Sequence, residues 1–150
     1  MTGLVQDWEK IAMASEDRFA GIDRRHLQFV GALTDTTIPA RQNQVRQDTS
    51  LGLQLSRLQG TYESTKRRHL YHLKEMRTFL DATKVWLQRI NAEGKARRLV
   101  RRSWQSRKGT FISLFVRIQH SESEFGDLSP YYARIAQLLP GMKVFFPSNP

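Results

Sequence analysis

Two groups of side chains in this sequence could do chemistry: a histidine pair with a nearby acid, and a dense run of cations. His69, His72 and Glu75 follow one another at steps of three, which sets them on neighbouring positions of a helix. Two imidazoles and a carboxylate are donors that zinc accepts. However, His69 falls on an apolar stripe while His72 is rotated away from it, so the rings do not converge on one ion. Structural histidines follow from that, with no metal ligands and no cofactor expected. His26 also sits on a core stripe.

The cations are the stronger signal. Lys95, Arg97, Arg98, Arg101, Arg102, Arg107 and Lys108 put seven positive charges into residues 95–108, with no acid among them. A cluster of that density repels itself and calls for an acidic counterpart. If the counterpart were nucleic acid, the cations would track phosphates while Trp104 stacked on a base or packed on a sugar. Seven engaged charges would then give affinity a log–log salt slope of roughly −5 to −6. The plainer reading keeps Trp104 in the core beside a solvated charged face. Lys66, Arg67 and Arg68, with Lys74 and Arg77 beyond them, extend the positive surface along a second helix. Two clusters suit an extended acidic partner better than a small ligand. An anionic membrane fits less well, because only Leu99, Val100 and Trp104 offer apolar surface beside the charges.

Catalytic arrangements are missing from the pattern. Gly94-Lys95 is not a phosphate loop, since Arg89 stands where an earlier glycine is needed and Ala96 where Ser or Thr is needed. The sequence has no Gly-x-Ser-x-Gly elbow and no convincing carboxylate pair. It has no cysteine, which excludes disulfides, thiolate zinc sites and thiol catalysis. No catalytic residue is assigned and no enzyme is expected. Ser103, beside Arg102, is a candidate for phosphorylation by a basophilic kinase, which would lower the local charge.

The elements that must position these residues are helical. The 150 residues suit one domain, and a net charge of +10 with 39% hydrophobic residues places the chain on the polar side of globular. Acids at Asp7, Glu9, Glu16 and Asp17 speak against a presequence, and Gly3 does not meet the myristoylation pattern. The apolar run from Phe111 to Ile118 is too short to span a bilayer. A soluble or complex-bound intracellular chain is the expectation, with the compartment open.

Leu4, Trp8, Ile11, Ser15, Phe19, Ile22, His26, Phe29 and Leu33 recur at steps of three and four, which predicts a helix over 4–33. Residues 34–50 read as a polar linker or helical extension around Pro39. A second seam runs through Leu51, Leu55, Leu58, Tyr62, His69, Leu73, Met76, Leu80, Thr83, Leu87 and Ile90, with a stutter near Thr65. It predicts a helix over 51–92, roughly 60 Å long. That seam closes either within the chain or against another chain, and its wide aromatic residues favour an intramolecular bundle.

Beyond Gly94 the seam changes face, so a separate basic helix is placed at 95–106, with Lys108-Gly109-Thr110 as punctuation. Phe111 to Ile118 alternates like a strand but suits a helix capped by Thr110. Ser129 and Pro130 start a further short helix, which Pro140-Gly141 stops, and Val144, Phe145 and Phe146 form a tail suited to docking.

The expected fold is therefore all-α: an elongated bundle or hairpin of two long helices, a short basic helix, and a carboxyl-terminal helix with an extended tail. The expected function is that of a non-catalytic assembly subunit, with other subunits of a large complex as partners. A stand-alone RNA- or DNA-binding protein is the alternative.

Overall fold

The computed structural model describes residues 1–33, 49–93 and 97–138. The expected linker at 34–48, the break at Gly94, Lys95, and the tail with Val144, Phe145 and Phe146 lie outside the described residues. Within them the fold is all-α. Helix α1 spans Thr2–Leu33, α2 spans Thr49–Glu93, α3 spans Arg97–Gly126 and α4 spans Ser129–Leu138. The contacts divide the chain into two units, Met1–Asp17 with Arg68–Ser121, and Arg18–Arg67 with Glu122–Pro150.

In the first unit, segments of α1, α2 and α3 bury one stripe each. From α1 come Val5, Trp8, Ala12 and Ser15. The expected stripe had Leu4 and Ile11 in place of Val5 and Ala12, yet Leu4 is 40% exposed. Two near-equivalent apolar lines run along this helix, and the small Ala12 lets α1 approach its neighbours more closely than Ile11 would. The α2 segment contributes His69, Leu73, Met76, Leu80, Thr83 and Leu87, and the α3 segment Phe111, Leu114, Ile118 and Ser121.

In the second unit, Phe19, His26, Phe29 and Leu33 of α1 pack with Leu51, Leu58, Tyr62 and Thr65 of α2. Phe125, Leu128, Tyr132, Ile135 and Ala136 complete that core. The seam of α2 is thus buried within the chain, as the aromatic content implied. Thr65 is the seam residue at the stutter. Its 2% exposure fits its hydroxyl donating to the Thr61 carbonyl at 2.9 Å, which satisfies the buried oxygen locally.

The basic segment departs from expectation in length. It is the opening of a 30-residue helix that runs through Gly109 and Thr110 without interruption, so 111–118 is helical and 95–106 is not a separate element. Thr110 caps nothing; its hydroxyl donates to the Ser106 carbonyl one turn back at 3.1 Å. The apolar stripe explains the continuity. Trp104, Arg107, Phe111, Leu114, Ile118, Ser121 and Phe125 keep steps of three and four straight across Gly109. One exposed glycine costs a helix only about 1 kcal/mol against alanine, less than the packing on either side supplies. A Cβ at Gly109 would meet nothing within 4 Å. Gly109→Ala is accordingly expected to stabilise the protein by roughly 0.5–1 kcal/mol in urea unfolding.

At α4, the Leu128 carbonyl accepts from Tyr131 N–H at 3.0 Å and Tyr132 N–H at 3.3 Å. Leu128 is therefore the residue at the cap, and Ser129 is the first helical residue.

Candidate basic interface

The cations expected to act together are divided between two environments. Arg101 and Arg102, on the first turns of α3, are exposed. Arg107 turns inward: its Nη1 donates to Thr83 Oγ1 at 3.0 Å, and its guanidinium lies 4.7 Å from the Trp86 ring centre. Burial pushes this guanidinium below its ordinary value. Arginine nevertheless stays charged, and the aromatic face and threonine hydroxyl offset part of its lost hydration. Lys108 is half-buried. Arg97 and Arg98 open α3, four positions before Arg101 and Arg102 respectively.

Trp104 is likewise turned inward. Its ring stacks on Trp8 at 5.2 Å and 16° and lies parallel to Trp86 at 6.3 Å and 3°. Trp8 stacks in turn on Phe111 at 4.5 Å and 7°, and Phe111 on Phe115 at 6.0 Å and 5°. All three tryptophans belong to this series of near-parallel rings, and Arg107 lies against its last member. Trp104 is half-buried, with its ring packed against two others.

On α2, Lys66 is 3.2 Å from Asp23, whereas Arg67 and Arg68 are exposed. Other ion pairs join Arg18 to Glu122 at 2.6 Å, Arg77 to Glu16 at 2.5 Å, Lys84 to Glu9, and Arg117 to Glu75 at 3.4 Å. Each links two helices. Such part-exposed pairs are worth about 0–1 kcal/mol apiece. Each takes up one acid and one base, so the net charge of +10 is left on the other side chains. The outward excess is cationic.

His69 and His72 meet on an atom that the sequence did not single out. Their Nδ1 atoms lie 2.6 Å and 3.1 Å from the Ser121 hydroxyl, which also contacts the Arg117 and Ile118 carbonyls at 3.2 Å each. One hydroxyl thus ties both rings to the α3 backbone. Ser121 was detectable as a seam position, three after Ile118 and four before Phe125, but its role depends on the pairing of α2 with α3. Glu75 is engaged by Arg117 instead. Among the described residues, no group of three or more His, Asp or Glu side chains is placed to hold a metal ion.

A second polar cluster, also missed in the sequence, fixes α4 in its unit. His26 shares a 2.5 Å hydrogen bond with the Tyr132 hydroxyl and stacks on Tyr62 at 3.5 Å and 11°. Tyr62 donates to Asp23 at 2.6 Å. Burial raises both phenols well above their ordinary value, with the Asp23 charge adding to the effect. Burial also holds His26 below its ordinary 6.5, against the opposing pull of Asp23 and Glu63. With a depressed folded value, the unfolded chain takes up this proton first as pH falls. His26 thus stabilises the fold fully above pH 6.5, and that contribution is lost as pH drops from there toward the folded value. Melting temperatures from about pH 8 to about pH 5 should fall, with a component that disappears in His26→Gln. A component of opposite sign would contradict the assignment.

Among the described residues, no helix is long and apolar enough to cross a membrane. Compared with protein-family models, curated proteins and solved structures, the chain finds no match in any of the three.

Proposed function

We propose that this chain is a non-catalytic assembly subunit that presents an outward cationic helical surface to an acidic surface of a larger complex. The observation that carries this reading is the excess of exposed cations. Arg67, Arg101 and Arg102 are exposed, and the ion pairs between helices take up one base with each acid, so the net charge of +10 is left on the other side chains. Such a surface attracts acidic partners at long range and specifies them weakly, as suits a subunit whose specificity comes from shape. Val144, Phe145 and Phe146 are proposed as the second anchor, to a neighbouring subunit.

Against the stand-alone nucleic-acid reading stands the half-buried Trp104, whose ring packs on Trp8 and Trp86. What remains is a sequence-independent phosphate contact, expected at about 10⁻⁶ to 10⁻⁴ M in physiological salt. Titration of purified protein into labelled duplex and single-stranded oligonucleotides separates the readings. Weak binding that collapses with salt supports the assembly role. Nanomolar binding that survives physiological salt would favour the nucleic-acid protein.

A further inference from the structure

A groove of about 420 Å³ lies between α2 and α3 in the first unit. Phe79, Ala82 and Leu114 are its apolar lining, and Tyr71, Lys74, Glu75, Thr78 and Arg117 stand around it. Tyr71 is 60% exposed, an unusual position for an aromatic ring of this size. Phe79 is held from behind, with its ring 6.1 Å from that of Trp8, so this lining belongs to the packed core.

The charges around the groove carry the inference. Lys74 is exposed and has no ion-pair partner among the described residues. Arg117 reaches Glu75 at a loose 3.4 Å, with its side chain 55% exposed. The groove thus joins an apolar lining to two cations and one acid, a rim with one net positive charge: Glu75 takes up part of the Arg117 charge, and Lys74 is left to gain a carboxylate contact. A phosphodiester would find no donor in Phe79, Ala82 or Leu114. An amphipathic helix would satisfy both parts, placing apolar side chains at i, i+3 or i+4, and i+7 on the lining and acids at the edge.

We propose that this groove docks an acidic amphipathic helix of a partner protein, with its apolar side chains against Phe79, Ala82 and Leu114 and its carboxylates at Lys74 and Arg117. The inference rests on the reading of the chain as a binding subunit, but it uses a surface separate from Arg101 and Arg102.

The test uses the full chain and a fluorescein-labelled synthetic helix, with Leu and Phe at that spacing and Glu at the outward positions. Anisotropy in moderate salt is expected to show saturable binding in the micromolar range. A scrambled peptide of equal composition should bind ~10-fold more weakly, as should Ala82→Trp, which fills the groove from an exposed position. Lys74→Glu combined with Arg117→Glu should weaken binding by a similar ~10-fold and decides the matter if Ala82→Trp loses helicity by circular dichroism. Arg101→Glu with Arg102→Glu should bind the peptide as wild type does, which keeps this result distinct from the outcome for the cationic surface. No saturable binding, or equal binding by the scrambled peptide, overturns the proposal. So does binding that an oligonucleotide abolishes while Ala82→Trp leaves it unchanged.

Discussion

Trp8→Ala is expected to cost about 3–5 kcal/mol in urea unfolding, enough to remove a large part of the stability of a domain this size. Trp8 is 4% exposed and contacts rings on two other helices: Phe79 on α2, and Trp104 and Phe111 on α3. Its truncation leaves a cavity whose remaining walls are flat rings, which collapse poorly around a methyl group. The same variant should lose most near-ultraviolet circular dichroism, because its neighbours Trp104 and Trp86 would no longer be held in a fixed stack. Trp8→Phe should recover part of both signals. A loss below about 1 kcal/mol for Trp8→Ala would show that the ring series is not what holds the three helices together.

Charge reversal at the start of α3 should behave in the opposite way. Arg101→Glu with Arg102→Glu is expected to leave stability within about 0.5 kcal/mol of wild type, since both side chains are exposed. Affinity for the acidic partner of this cationic surface, as distinct from a helix in the groove, should nevertheless fall by more than ~10-fold, most steeply at low salt. Arg107→Gln provides the contrast. It removes a cation from the Trp86 face and disturbs the hydrogen bond to Thr83, so about 1–2 kcal/mol of stability should go. Its effect on binding at matched folded fraction should be small. Comparable binding losses from the two variants would mean that Arg107 is available to partners after all, against its inward geometry.

That contrast shows what the sequence could and could not reveal. Seven cations in one run are plain to read, and so is the step of three and four that makes the chain helical. Which cations face outward depends on where the apolar stripe of α3 lies. Arg107 occupies a stripe position between Trp104 and Phe111, yet its charge reads like that of its exposed neighbours. Gly109-Thr110 likewise reads as a helix end, although the stripe continues from Trp104 to Phe125. Thr83 reads as a seam position, but its partner, like the core roles of Thr65 and Ser121, is harder to read for a related reason. They are small polar residues in core positions, satisfied by contacts that local patterning does not report: Thr83 by Arg107, and Ser121 by His69 and His72 as well as by its own helix. The stutter near Thr65 was legible because it disturbs a period. The hydrogen bond from His26 to Tyr132 was not, since it joins residues 106 positions apart.

Groove and cationic surface alike depend on one claim, that the chain works by joining a protein assembly. Native affinity purification of the tagged full chain, with and without nuclease and followed by mass spectrometry, tests it most directly. A fixed set of protein partners that survives nuclease and moderate salt, and shrinks for Arg101→Glu with Arg102→Glu, is the expected result. Recovery of nucleic acid with no stable protein partner, lost on nuclease treatment, would contradict it.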